Sequence, residues 1–115
     1  MTSKQIEQSN VKIAKKLGWK DLKKENLPAP LQTEKRTIGI APGNERHQYV
    51  PNYFGNLAYA MKLVDWANEQ GYDFGLNRAS SITKYEAHFY NGVEYYVDWA
   101  TLSSVAICTA FLKIK

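Results

Sequence analysis

Residues 82–112 read ITKYEAHFYNGVEYYVDWATLSSVAICTAFL, and the fold class turns on how this stretch is read. Ile82–Phe89 is rich in β-branched and aromatic residues and reads as a strand. Asn91-Gly92 is a strong turn signal. A two-residue turn would set acids opposite aromatics on one face. A three-residue loop, Tyr90–Asn91–Gly92, with Gly92 as the left-handed bulge residue, pairs Phe89 with Val93, Ala87 with Tyr95 and Tyr85 with Val97. That register keeps one face apolar and puts His88 opposite Glu94, so it is the expected one. Thr101 is the expected N-cap of a closing helix that runs to about Leu112. Val105 to Leu112 is apolar nearly all round, so this helix is expected to be buried on more than one side. Cys108 lies inside it and reads as a packing residue, not a nucleophile.

Upstream, Tyr72, Phe74 and Leu76 alternate with Asp73, Gly75 and Asn77, which gives a further strand, followed by a loop at Arg78–Ser81. Before it, a helix is expected from about Asn56 to Gln70. Leu57, Ala60, Met61, Val64 and Ala67 share one face, Asn56 is the N-cap and Gly71 the stop. The first helix is expected over Ser3–Leu17, with Thr2 and Gln5 in capping-box spacing and Gly18 at its end. Ile6, Asn10, Ile13, Ala14 and Leu17 form its inner face, and Lys12, Lys15 and Lys16 its outer one.

Between these helices, residues 20–55 hold all four prolines and little periodicity. Only Thr37–Ala41 alternates, as a short strand closed by Pro42-Gly43. An irregular segment this long is usually functional or mobile. The expected architecture is α+β: one domain over 1–115, three helices and a small antiparallel sheet of three to four strands.

The 115 residues include 15 Lys plus Arg against 11 Asp plus Glu, one Cys and two His. One Cys excludes a disulfide framework and a Cys-rich zinc site. The apolar run 100–112 is too short to span a bilayer, and Lys4, Glu7 and Lys12 interrupt any leader-like run, so a soluble chain of a reducing compartment is expected. The charge is uneven: residues 1–48 carry ten basic and five acidic residues, and the remainder five and six. A basic half fits an anionic partner or an ordinary solvated lysine face.

Three blocks carry a family resemblance. Ile13-Ala14-Lys15-Lys16-Leu17-Gly18-Trp19 closes the first helix. Val50-Pro51-Asn52-Tyr53 then Leu57-Ala58-Tyr59-Ala60-Met61 enters the central one. Ala100–Leu112, with its Ala-Ile-Cys, forms the last. In these the chain resembles the phage ABA sandwich domain family of small proteins from tailed phages and prophages. It departs where Ser-Thr-Asp usually follows the Tyr, having Phe54-Gly55-Asn56 instead. The resemblance implies an α/β/α sandwich and a place in the host cytoplasm.

Catalysis needs a nucleophile, a base and an orienting group within reach, and no such set converges here, so an enzyme is not expected, nor a cofactor or metal. The stretch Glu45–Tyr59 mixes cationic, amide and aromatic groups before a helix N-terminus, where anions are favoured. Arg46 can fork onto phosphate while Tyr rings stack on a base. Arg36, Arg46, His47, Tyr49, Asn52, Tyr53 and Asn56 are therefore the expected ligand-binding residues, and the expected ligand is an anionic, nucleotide-like small molecule. The lead expectation is a phage protein that sequesters a nucleotide-derived immune signal. An inhibitor docked on a host protein through Tyr49, Tyr53 and Phe54 is the alternative, and weak nucleic-acid binding through the lysines a third. Open sheet edges make a homo-oligomer the expected assembly, with no membrane partner.

Overall fold

The computed structural model describes residues 2–26, 35–78 and 83–115. It is an α+β fold of three helices and two antiparallel three-stranded sheets. The chain divides into two compact units, Met1–Asn52 and Tyr53–Lys115.

In the first unit, α1 (Ser3–Leu17) begins as the sequence requires. The Thr2 hydroxyl accepts from the Gln5 N–H, and the Gln5 side chain accepts in return from the Thr2 N–H. It ends at Gly18, whose φ of 98° only glycine adopts without strain. Asn10, Ile13 and Ala14 are buried. Residues 20–55, expected to hold one short strand at Thr37–Ala41 and otherwise to be irregular, contribute that strand as β2 (Lys35–Ile40) and two more, β1 (Lys20–Asn26) and β3 (Gln48–Tyr49), in the spatial order β1-β2-β3. Lys-Asp-Leu-Lys-Lys-Glu-Asn has one apolar residue and no alternation, so β1 carries no strand signal of its own. Pairing with β2, from Lys23↔Ile38 to Asn26↔Lys35, supplies its order. Pro28 and Pro30 lie outside the described residues. Because the Thr37–Ile40 strand is committed to β1 and β3, the expected single sheet is two sheets of three.

The second unit holds α2 (Leu57–Glu69), β4 (Asp73–Arg78), β5 (Tyr85–Tyr90), β6 (Tyr95–Ala100) and α3 (Ser103–Lys113). Asn56 caps α2 as expected: its side-chain carbonyl accepts from the N–H groups of Ala58 and Tyr59. The buried face is Ala60, Leu63, Val64 and Ala67, while Leu57 and Met61 are exposed. Helix α3 lies against β5, β6 and α2. Its Phe111 meets Trp66 of α2 and Phe89 of β5 edge-on, with ring centres 5.4 and 6.3 Å apart. Its N-cap is Leu102 rather than Thr101, with no side-chain cap bond. Cys108 is fully buried beside this core, and burial pushes its thiol up to about 12, so it stays protonated and inert at neutral pH.

The hairpin register differs from expectation. Phe89 pairs with Tyr96, Ala87 with Asp98 and Tyr85 with Ala100, across a loop over 91–94. The Asn91 side-chain oxygen Oδ1 accepts from the Val93 and Glu94 N–H groups at 3.0 and 2.6 Å, and the Asn91 backbone N–H donates to the Glu94 backbone carbonyl. This local closure makes a four-residue loop and leaves Val93 at its exposed tip. The acid that argued against such a face, Asp98, is met by Lys113 of α3 at 3.4 Å, and Lys113 also donates to the Val97 carbonyl. His88 consequently pairs with Val97, not Glu94. Its ring stacks on Tyr95, its Nδ1 lies 3.3 Å from a Glu86 oxygen, and it covers Gly75, where any Cβ would collide with it. Ile82 and most of the Arg78–Ser81 loop fall outside the described residues. No helix among the described residues is long and apolar enough to cross a membrane.

Candidate functional site: a lysine-lined groove in the first unit

One face of α1 presents Glu7, Gln8, Val11, Lys12 and Lys15, residues that helical spacing stacks in a row. Strand β1 runs beside it with Leu22, Lys23 and Lys24, and β2 adds Thr37. Together these line a groove of about 370 Å³, within the roughly 300–1,000 Å³ of small-molecule sites. Val11 and Leu22 give it apolar surface. Lys12, Lys15, Lys23 and Lys24 surround it, and among the described residues none of the four is ion-paired.

A local irregularity of β1 shapes the groove. The pairing of β1 with β2 shifts register between Lys20 and Lys23, and Asp21 takes a φ of 53°, a conformation that Asp tolerates better than most residues. Asp21 there meets His47, with Oδ2 and Nε2 2.7 Å apart. Leu22 lies over Gly39: a Cβ at residue 39 would stand 2.5 Å from a Leu22 methyl carbon. Glycine at 39 is thus what lets the Leu22 side chain occupy the groove wall. Glu7 is fixed by its own bond, one carboxylate oxygen accepting from the Thr37 N–H at 3.1 Å.

A second cavity of about 380 Å³ in the same unit is lined by Ser3, Ile6, Glu7, Asn10, Arg36, Val50 and Asn52. Arg36 donates to the Val50 carbonyl at 3.2 Å, and its guanidinium stands 4.7 Å from the Tyr49 ring centre. Asn10 donates to the Asn52 side-chain carbonyl at 3.1 Å. Of the expected ligand-binding residues, the structure brings Arg36 and Asn52 to this cavity, with Tyr49 beneath Arg36. His47 is engaged with Asp21, and Arg46 is exposed. Tyr53 and Asn56 belong to the second unit: Tyr53 is 2% exposed, its ring edge-on to Tyr59, and the Asn56 side chain is spent on its helix. Phe54 is equally buried and its carbonyl accepts from the Ser104 hydroxyl at 2.8 Å. Of the groove residues on β1, Leu22 had no sequence signal, because β1 itself had none, and Lys23 and Lys24 were visible only as part of the basic N-terminal half. Lys12 and Lys15 were visible only as a charged helix face.

Among the described residues, no group of three or more His, Cys, Asp or Glu side chains is placed to hold a metal.

Comparison with known proteins locates the fold. No family model matches the chain, and no curated protein does. Among solved structures, it is similar to a phage protein from Bacillus cereus ATCC 14579, whose crystal structure superposes with a TM-score of 0.63 at 22% identity. The match covers 97% of this chain and 90% of that one. The likeness is one of fold.

Proposed function

We propose that this chain is a small phage or prophage protein of the host cytoplasm that acts by binding, and that it holds a phosphate-bearing, nucleotide-like anion in the lysine-lined groove. Its proposed role is to sequester a nucleotide-derived immune signal of the host. The observation that carries the binding reading is the groove itself: four lysines, without ion pairs among the described residues, around one cleft of ligand size, with apolar surface from Val11 and Leu22. Ammonium groups bind phosphate as point charges, and the apolar wall suits the face of a base. The likeness of fold to a phage protein, together with the three sequence blocks at both ends and the middle, supports the phage origin. The proposed site differs from the one the sequence pointed to. It lies on α1 and β1 instead of the aromatic segment at 45–59, because Tyr53 and Asn56 are occupied within their own unit.

Isothermal titration of the full chain with cyclic nucleotides and ADP-ribose derivatives tests the reading. One ligand per chain is expected. The double variant Lys12→Glu, Lys24→Glu should weaken binding at least tenfold, about 1.4 kcal/mol or more, with the melting temperature unchanged. Absence of heat with every nucleotide tried would sink the proposal.

A second reading, docking on a host protein, is favoured by a different surface. Tyr90, Tyr95 and Trp99 are exposed on the second unit's sheet, and Tyr and Trp are common interface anchors. A stoichiometric protein partner in a pull-down, lost in Trp99→Ala and Tyr95→Ala, would favour it over the small-molecule reading.

A further inference from the structure

The two edges of the second unit's sheet are not alike. In an antiparallel ladder, alternate residues aim their N–H and C=O at one neighbouring strand, and the rest aim them away from it. The bond from the Asn91 N–H to the Glu94 carbonyl fixes that alternation for β5 and β6. Tyr95, Val97 and Trp99 therefore turn their backbone groups out of the sheet along the β6 edge. That edge is latched. The Lys113 ammonium donates to the Val97 carbonyl at 2.8 Å, and the Asp98 carboxylate accepts from the Trp99 N–H at 2.8 Å. Lys113 and Asp98 are 3.4 Å apart, so one ion pair closes both positions. Native proteins guard open edges with such charged side chains.

Carried across β5, the same alternation bonds Asp73, Gly75 and Asn77 of β4 to β5 and turns Phe74 and Leu76 outward. The Tyr72 N–H, also outward, is taken by the Ala67 carbonyl. Among the described residues, nothing takes the N–H or C=O of Phe74 or Leu76. The strand Asp-Phe-Gly-Leu-Asn-Arg has no Lys or Pro to guard it. Phe74 packs on Phe89, with ring centres 5.3 Å apart, yet both Phe74 and Leu76 stay partly exposed. Their apolar layer ends at this edge uncovered.

We propose that β4 pairs antiparallel with β4 of a second copy of this chain about a two-fold axis at Gly75, joining the two three-stranded sheets into one. The strand is self-complementary about that glycine. Phe74 falls opposite Leu76 of the second copy, and the two exchange both backbone bonds. Asp73 falls opposite Asn77 of the second copy, whose amide can donate to the carboxylate. No like charges meet. A slip of one residue would set Phe74 opposite Asn77 of the second copy, which argues for this register. Pairing here is independent of the lysine groove, which belongs to the first unit.

Sedimentation equilibrium of the full chain tests the pairing. The mass should rise from one copy toward two as concentration increases. Leu76→Pro removes an N–H that bonds nothing within the chain, a position where edge strands tolerate proline. It should keep the circular dichroism of the parent and weaken association roughly tenfold or more, because its backbone donor is lost from both copies. Cysteine cross-linking reads the register without a proline, and decides alone if Leu76→Pro does not fold. Asp73 and Asn77 are both exposed. Across the axis their Cα atoms would stand about 4.5 Å apart, within reach of a disulfide. Two copies of the same residue would stand roughly 13 Å apart, out of reach. With copper phenanthroline as oxidant, a mixture of Asp73→Cys and Asn77→Cys should give a cross-linked dimer, and neither variant alone should. A mass of one copy at every concentration overturns the proposal. So does cross-linking as fast in either variant alone as in the mixture. A dimer lost in Trp99→Ala but intact in Leu76→Pro also overturns it, and puts the interface on the exposed aromatic face.

Discussion

The hydroxyl of Thr37 is buried and has no hydrogen-bond partner among the described residues, although the residue is 3% exposed and borders the groove. A desolvated hydroxyl left unpaired costs about 1–3 kcal/mol. Valine has nearly the same shape, keeps the strand preference, and leaves the backbone N–H that holds Glu7 unchanged. Thr37→Val is therefore expected to raise stability by about 1 kcal/mol, read as a higher midpoint in urea with an unchanged slope. A lower midpoint would mean that the hydroxyl is paired in solution. Nothing in the sequence singles out this threonine: it lies in a run read as a short strand, and only packing under α1 reveals that its oxygen is stranded.

Among the elements, β1 shows where local reading stops. Helix ends were legible because caps are local chemistry: Thr2 with Gln5, Gly18, Asn56 and Gly71 all do what their residue types predict. Strand β1 was not, because its one apolar residue gives no period to find, and its order comes from a separate partner strand, β2. The β5–β6 register was misjudged for a related reason. Facing side chains favoured a bulged loop, but the Asn91 side chain satisfies two backbone N–H groups and sets a longer one, and the acid thus placed inward is met by Lys113 from another element. The bulge in β1 supports a prediction of its own. An added methyl at residue 39 meets Leu22, Trp19 and the Lys20 carbonyl, and the last is backbone that cannot step aside cheaply. Gly39→Ala should destabilise the protein by about 1–3 kcal/mol and weaken nucleotide binding beyond that, as Leu22 is displaced from the groove wall. Adding Leu22→Ala should return part of the stability, and none of the affinity. Thermal melts and titrations on the two variants distinguish these effects.

At the scale of the molecule, charge follows the division into units. The unit Met1–Asn52 holds ten basic and five acidic residues, and Tyr53–Lys115 holds five and six. Binding that rests on the lysines of the first unit should weaken with salt. The four groove lysines are surface charges, and the screening length falls from roughly 14 Å at 50 mM to about 5 Å at 300 mM salt. Nucleotide affinity is expected to drop several-fold over that range, whereas a contact through Tyr95 and Trp99 should change little. Titration at the two salt concentrations reads this directly. The sequence by itself determined the three helices, the caps of the first two, the presence of strands β4, β5 and β6, the buried Cys108 and the basic first half, because each is set by nearby residues or by composition. Tertiary structure alone decided that Thr37–Ile40 joins β1 and β3 in a sheet of its own, that Tyr53 is buried, and that lysines from α1 and β1 share one groove. Those outcomes depend on which distant segments pair, and pairing is settled by packing over the whole unit, not by any run of residues within it.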